Sequence, residues 1–382
     1  MIELCITLTL ALTAPPGNLP DSYLERAVIA VDACRDVVPA MQAPAEAAAA
    51  RLSAGGKLWV SGQPSWVSEL TGRAGGIMMV QNLGDKTPEA GDVVLFAQSD
   101  GVALPETLCD SGAMVVVFGG PHPEDETTWF DNHAGTAGIS PALANVIPGW
   151  IFSAELVGAL TRLGKMPVMF ETIGLPGGFP RIYNYQAKGI FWHEPHDVPP
   201  IAPGVLGVRY TGAVKSILQR VEREDRQALN TAGAWAAEAL ASGHQVIVYS
   251  MGHFLPEEID KTAIGADFKS GVWNSGFTSS PPPDDTYVRG DAIIHIGYQH
   301  PPYGLFEKAR AAGARVIYVD ILRHRDYVND PGVLWIDPMW PWSDACVPIE
   351  GYDISVLPPS GIVNSAIAWE IHRLSRERLT GN

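Results

Sequence analysis

The stretch "GGKLWVSGQPSWVSELTGRAGGIMMV", residues 55–80, decides the fold class of this 382-residue chain. It contains two apolar runs, at 57–61 and 77–80, separated by a polar turn and a segment that begins with Pro64. Proline at the first position of an apolar-periodic segment is typical of a helix start. Short apolar runs without alternation are typical of strands that are covered on both faces of a parallel sheet. The stretch therefore predicts a strand, turn, helix and second strand of an α/β fold.

The same order of elements occurs twice along the chain. In the first half, a predicted helix at 24–54 precedes this stretch, and strands at 91–101 and 113–120 and a helix at 148–163 follow it. The second half repeats the order with the following segments: helix 212–242, "VIVYSMGHFLPEE" (246–258), "GDAIIHIGYQHPPYG" with the third strand (290–304), helix 305–313, strand 314–320 and helix 361–378. Both halves place Gly-Asp directly before the third strand. A sequence that repeats at this scale predicts two similar structural units.

We expect four segments along the chain: 1–19, a signal or an extra strand; 20–174, a first domain; 175–211, an ordered connector; and 212–382, a second domain. The apolar run from Leu4 to Ala14 resembles the core of a secretory signal but lacks a basic flank, and its Thr/Leu alternation equally fits an edge strand. Export and a cytoplasmic location therefore both stay open. The connector is too aromatic for a free linker.

Composition narrows the classes of partner. Hydrophobic residues make up 46% of the chain and charged residues 18%, which is typical of a well-buried globular protein. The net charge of −16 argues against nucleic acid or an anionic membrane as partner. The four cysteines are scattered without a Cys-x-x-Cys pair, so we expect no disulfide framework and no zinc cluster.

Several motifs resemble sugar isomerase (SIS) domains. Residues 55–80 are similar to the strand, turn and helix of these domains, and Glu69 to Arg73 match the Glu-Leu-Thr-Gly-Arg of phosphoheptose isomerases. Residues 250–259, 290–320 and 356–374 resemble uncharacterised SIS proteins. Together the matches cover most of residues 20–378. The resemblance implies an α/β fold of two flavodoxin-like three-layer (αβα) sandwiches with parallel sheets in tandem, and we expect the chain to pair as a homodimer.

The resemblance also implies a ligand cradle at the carboxyl ends of the strands, where helix N-termini favour anions. The ligand-binding candidates are Ser61, Gly62, Ser65, Ser99, Ser250, Gly252, Glu257 and Glu258. The sequence departs from the family pattern at two loops. Asp100 would repel a phosphate, and the loop from Gln299 to Pro302 has no hydroxyl and lacks the N–H donors that its prolines remove.

Aldose–ketose isomerisation needs a carboxylate base near a C–H bond and a second acid or base for the oxygens. Glu69 stands where phosphoheptose isomerases carry a base, and His253 or His300 would be its partner. Each has a structural alternative, since a carboxylate near a helix start complements the dipole and a turn histidine serves as a cap. We predict a protein that binds a sugar derivative or sugar phosphate, with isomerisation as its candidate chemistry. The alternative is a non-catalytic sugar-binding or scaffold protein. We expect no metal and no cofactor.

Two further motifs indicate other chemistry. "VYSMG" resembles the nucleophile elbow of α/β-hydrolases, which makes Ser250 a remote candidate for a serine nucleophile, although Val248 replaces the first glycine. "HEPHD", residues 193–197, gathers metal-ligating residue types. It lacks the spacing that brings two histidines together on a helix, so a surface loop is the alternative.

Overall fold

The structure is a computed structural model that describes residues 19–99, 101–122, 128–271, 286–297, 303–321 and 332–381. Its helices are α1 (Tyr23–Asp36), α2 (Val38–Ser53), α3 (Pro64–Leu70), α4 (Glu106–Cys109), α5 (Ala134–Ala137), α6 (Pro141–Arg162), α7 (Gly178–Asn184), α8 (Val205–Glu224), α9 (Arg226–Ala241), α10 (Leu255–Lys261), α11 (Ala263–Asp267), α12 (Tyr303–Ala311) and α13 (Ser360–Thr380). Its strands are β1 (Leu58–Gly62), β2 (Val80–Asn82), β3 (Val93–Ala97), β4 (Met114–Phe118), β5 (Thr128–Phe130), β6 (Met166–Pro167), β7 (Trp192–His193), β8 (Val246–Ser250), β9 (Lys269–Gly271), β10 (Ala292–Ile296), β11 (Arg315–Val319) and β12 (Val333–Ile336).

Ten of the described strands form two five-stranded parallel sheets with the same topology. Sheet one has the order β2-β1-β3-β4-β5, and sheet two has the order β12-β11-β10-β8-β9. Counted from the first strand of each sheet, both follow the flavodoxin-like order 2-1-3-4-5, in which the strand order reverses between the first and third strands. The predicted fold, two flavodoxin-like sandwiches in tandem, is confirmed.

Each sheet is covered on both faces, as its apolar strands predict. The inner faces of both sheets share a single hydrophobic core. The outer face of sheet one carries Trp59 and Phe96 and is packed with Leu108 of α4. The outer face of sheet two carries Tyr249 and Tyr318 and is covered by α12. Burial on both faces removes the alternation that a half-exposed strand would show.

Long helices fill the space between the two sheets. Helix α2 packs on α6, α9 packs on α13, and α1 of the first half packs on α8 of the second. Among the described helices, α6 is the one long and apolar enough to cross a membrane, and its whole apolar window is buried inside the protein. Helix α6 is therefore a core helix, and the two halves share one continuous interior.

The connector between the halves is ordered and tied down by its polar residues. Strand β7 pairs antiparallel with β6, which places the "HEPHD" motif beside the first half. His193 Nε2 lies 3.1 Å from the Tyr352 hydroxyl, and Glu194 forms an ion pair with Lys165 over 2.6 Å. His196 Nε2 lies 3.2 Å from the Gly164 carbonyl oxygen. Through these contacts the motif holds the connector against Tyr352, Lys165 and Gly164.

Candidate functional site

The carboxyl edge of sheet one places two glutamines side by side at the point where the strand order reverses. Gln63 directly follows β1 and donates its backbone N–H to the Ala97 carbonyl over 3.0 Å. Gln98 directly follows β3 and donates its backbone N–H to the Phe118 carbonyl over 2.9 Å. The sheet ladder therefore continues one residue beyond the strands. This position is where open α/β sheets bind their ligands.

Asn145 of α6 joins these glutamines in a cluster of amides. Its Nδ2 donates to the Gln98 carbonyl over 2.7 Å and to Gln63 Oε1 over 3.1 Å, and its Oδ1 accepts from Asn132 Nδ2 over 2.7 Å. Asn145 is fully buried. A Cβ atom at Gly119, whose φ is +68°, would lie 2.1 Å from Asn145 Oδ1, so glycine is required there. We call these four residues, joined through the Gln98 backbone carbonyl and the side chains of Gln63, Asn132 and Asn145, the amide cluster.

Predicted ligand residues lie around the amide cluster at different depths. Ser61 and Ser99 are half-buried at the same edge of sheet one, whereas Ser65 is buried behind it. A Cβ atom at Gly62 would lie 2.2 Å from the Ala97 carbonyl oxygen, so Gly62 permits the close approach of the chain to the end of β3. Asp100 lies outside the described residues.

Glu69 lies in a buried ionic network between the two halves. Its Oε1 is 3.3 Å from Arg73 Nε, and Arg73 Nη2 is 3.1 Å from Asp344 Oδ2 of the second half. Arg73 Nη2 also donates to the Ser360 hydroxyl, which in turn donates to Asp344 Oδ2 over 3.0 Å. Glu69 and Asp344 have no exposed area. We call Glu69, Arg73, Asp344 and Ser360 the ionic network.

The ionic network holds two carboxyl groups and one guanidinium in a dry interface. Burial raises the pKa of the Glu69 carboxyl to about 7, and Arg73 opposes that shift. Burial likewise raises the pKa of Asp344, again opposed by Arg73. Loss of water disfavours the charged carboxylate more than one shared cation restores it. The network therefore carries a proton more readily than exposed carboxylates would.

His253 ties the second half to helix α3 of the first half. Its Nδ1 lies 3.1 Å from the Ser68 carbonyl oxygen, so this nitrogen carries the proton of the neutral ring. Burial and the nearby Arg73 charge lower the pKa of His253 to about 4. Gly252, with φ +130°, and His253 line the same small cavity as Glu69. The structure thus brings Glu69, Gly252 and His253 together.

The remaining candidates in the second half do not line that cavity or lie outside the described residues. Ser250 is half-buried at the end of β8, and no described histidine donates to its hydroxyl or accepts from it. Glu257 is half-buried on α10. His300, the other predicted partner of Glu69, lies outside the described residues.

Glu258 repeats the position of Glu69 with the roles of the halves exchanged. Its side chain is 1% exposed, and its Oε1 accepts from Trp369 Nε1 of α13 over 2.7 Å. Burial raises the pKa of Glu258, while the Ser140 hydroxyl and Trp369 lower it. In the first half, Trp150 Nε1 of α6 donates to Glu69 Oε1 over 3.4 Å. Each glutamate therefore meets the tryptophan of its own half and the N-terminal region of the other half's last long helix.

Sequence reasoning did not single out most of these partners. The missed residues are Gln63, Gln98, Asn132, Asn145, Asp344, Ser360, Trp150 and Trp369. One signal was available: "NVIPGW" at 145–150 and "NSAIAW" at 364–369 carry Asn and Trp at the same spacing in the last long helix of each half. For Asp344 the sequence offers no such signal, because it lies in an irregular segment far from Glu69 along the chain.

Neither a protein-family model nor a curated protein matches this sequence. Among solved structures, one from Salmonella typhimurium LT2, described as a "putative sugar binding protein", is 12% identical with a TM-score of 0.50, over 93% of this chain and 98% of that chain. The C-terminal domain of glucosamine-fructose-6-phosphate aminotransferase from Francisella tularensis is 11% identical with a TM-score of 0.47, over 94% of this chain and 96% of that chain. Identities this low bear on the fold alone. The chain has the tandem parallel α/β sandwich fold that its resemblance to SIS-domain proteins implied.

Proposed function

We propose that this protein binds a sugar derivative at the carboxyl edge of sheet one, through the hydroxyl groups of the sugar. The observation that carries the proposal is the amide cluster at the reversal point between β1 and β3. Asn145 Nδ2 donates a hydrogen bond to Gln63 Oε1. No described residue accepts a hydrogen bond from Gln63 Nε2, so both of its N–H groups can bind a ligand. Gln63 is half-buried, so its amide is held in place and reaches the surface. It is the member of the cluster best placed to contact a ligand.

The chemistry of this edge suits a neutral polyhydroxyl ligand. Amides both donate and accept hydrogen bonds, as a sugar hydroxyl does. The His122 and Trp129 rings lie 4.9 Å apart beyond β4, where an aromatic face can pack against the C–H face of a sugar ring. The amide cluster contains no cation. These features favour the sugar part of the ligand over a phosphate as the group that the edge recognises.

The fold likeness is consistent with this proposal. A solved structure that shares the fold over most of both chains is described as a sugar-binding protein. That description belongs to the other protein, and the proposal for this chain depends on its own amide cluster.

A thermal-shift panel of free sugars, amino sugars, sugar phosphates and nucleotide sugars tests the proposal. A ligand that binds the native state raises the melting temperature as its concentration rises. We expect a millimolar free sugar or amino sugar to stabilise the wild type and to have no effect on Gln63→Ala. Gln227→Ala, at an exposed position of α9, is the matched control and should respond as the wild type does. The proposal fails if no compound shifts the wild type, or if Gln63→Ala responds fully.

Aldose–ketose isomerisation with Glu69 as base is a second candidate. It is favoured by the Glu69 pKa of about 7, since an acid–base group works best near the pH of its surroundings. Two observations oppose it: Glu69 has no exposed area, and the cavity beside it has a volume of about 10 Å³, which is too small for a sugar. Solvent deuterium incorporation at the carbon next to the carbonyl, abolished in Glu69→Gln, would support this candidate. Incorporation that survives the substitution would exclude Glu69 as the base.

A further inference from the structure

A cavity of about 550 Å³ lies between helix α1, the loop that joins α5 to α6, and the C-terminal part of α13. Tyr23, Ile139 and Trp369 form its apolar wall. The Tyr23 and Trp369 rings stack with their centroids 5.3 Å apart. Both side chains are held in place, because the Tyr23 hydroxyl accepts from the Ser140 N–H over 2.7 Å and Trp369 donates to Glu258 over 2.7 Å. The cavity therefore has the size of a small-molecule site and a fixed aromatic wall for a ring of the ligand.

Arg26 supplies a positive charge at this cavity. Its Nε donates to the Pro20 carbonyl over 2.7 Å, and its Nη1 lies 4.0 Å from the place that a Cβ atom on Gly138 would take. Arg26 and Gly138 both line the cavity. In the part of the chain that the structure describes, no carboxylate lies within ion-pair distance of Arg26. Its two terminal nitrogens are therefore available for charge-assisted hydrogen bonds to an anionic group of a ligand.

The other charged groups at the cavity already have counterions. Arg373 forms an ion pair with Glu377. Asp267 of α11, which does not itself line the cavity, lies 2.7 Å from His372 Nε2 and 3.3 Å from Arg376 Nη1. These contacts balance both carboxylates with donors from α13. The charge at the cavity that has no described counterion is therefore that of Arg26.

We infer that this cavity binds a small organic acid, with an apolar ring against the Tyr23 and Trp369 wall and one anionic group at Arg26. One cation without a counterion favours a ligand with a single negative charge. The cavity shares no residue with the amide cluster, so this site is separate from the sugar site proposed above.

Two fluorescent probes that share a ring but differ in charge test the inference. Dansylglycine carries a carboxylate and dansylamide is neutral, and the dansyl group becomes more fluorescent when it leaves water. We expect dansylglycine to give a fluorescence increase that saturates near one equivalent per chain at fixed ionic strength. Dansylamide should bind about tenfold more weakly, because it lacks the charged hydrogen bonds to Arg26.

Two substitutions locate the probe in the cavity. Arg26→Gln should weaken dansylglycine binding about tenfold and leave dansylamide binding unchanged. Arg378→Gln removes the same charge from an exposed position of α13 outside the cavity and is the matched control. Thr380→Trp places an indole at the exposed rim of the cavity and should block both probes, which gives a second test if Arg26→Gln does not fold.

Gln63→Ala separates this inference from the proposed function, because it alters the amide cluster and should bind dansylglycine as the wild type does. The inference is overturned if the wild type gives no saturable signal or binds both probes equally. It is also overturned if Arg26→Gln or Thr380→Trp binds dansylglycine as tightly as the wild type, or if Gln63→Ala loses it.

Discussion

Glu69→Gln should remove a specific pH dependence from the stability of the protein. Glu69 has an ordinary pKa of 4.5 when unfolded and a pKa of about 7 in the folded interface. Between these values the unfolded state loses the proton while the folded state keeps it, so stability falls as pH rises through this window. At 1.36 kcal/mol per pH unit, the difference between 4.5 and 7 corresponds to about 3 kcal/mol. Glutamine does not titrate, so the variant lacks this fall.

Urea denaturation of the wild type and Glu69→Gln at pH 5 and at pH 7.5 measures the effect. The difference in unfolding free energy between the two proteins cancels the contributions of groups that titrate independently of Glu69. One such group is Asp225, whose pKa is raised to about 6 by burial. The contribution of Asp344 does not cancel fully, because Asp344 and Glu69 both pair with Arg73. We expect the wild type to lose stability relative to Glu69→Gln by up to about 3 kcal/mol between the two pH values. Parallel changes in both proteins would refute the account of the ionic network.

Three further substitutions test the contacts that Glu69 and Glu258 make with the last long helix of each half. Gly361→Ala should destabilise the protein by about 1–3 kcal/mol in urea denaturation, because its Cβ would overlap Glu69 Oε1, and an unchanged midpoint would contradict that contact. Trp369→Phe should cost more than Trp150→Phe, because Trp369 donates to Glu258 over 2.7 Å whereas the Trp150 bond to Glu69 is 3.4 Å long. A bond to a charged group is worth about 1.5–3 kcal/mol, and equal losses in the two variants would argue against this ranking.

The sequence predicted the central strands well, because burial on both faces leaves an unbroken apolar run. The strand expected at 57–61 is β1 (Leu58–Gly62), and the run at 113–120 contains β4 (Met114–Phe118). The edge strand β12 (Val333–Ile336) was missed. It is short and lies in a segment rich in proline and tryptophan, where local pattern indicates irregular structure, and only pairing with β11 makes it a strand.

The positions of the long helices were predicted, but a break within one of them was not. The helix expected at 212–242 is two helices, α8 and α9, which meet at Asp225. No proline or glycine marks that break. The order of elements revealed the tandem repeat, because each half follows the same flavodoxin-like topology with little identity of sequence.

The candidate site was predictable only in part. The sequence placed polar residues at strand ends, and the structure locates Ser61 and Ser99 at that edge. It could not show that Asn145 reaches the edge from α6, because that contact depends on how a distant helix packs. The same limit applies to Glu69, because its neighbour Arg73 also pairs with Asp344 and Ser360 from the other half of the chain. The catalytic and ligand-binding roles of the predicted residues stay predictions.

Titration calorimetry of the wild type and Gln63→Ala with free sugars and amino sugars shows directly whether the amide cluster binds a sugar. We expect at least one such compound to give a heat signal that saturates near one equivalent per chain. Gln63→Ala should lose this signal, and Gln227→Ala should keep it. Absence of a saturable signal with every sugar, or equal binding by Gln63→Ala and the wild type, would contradict the claim that the amide cluster binds a sugar.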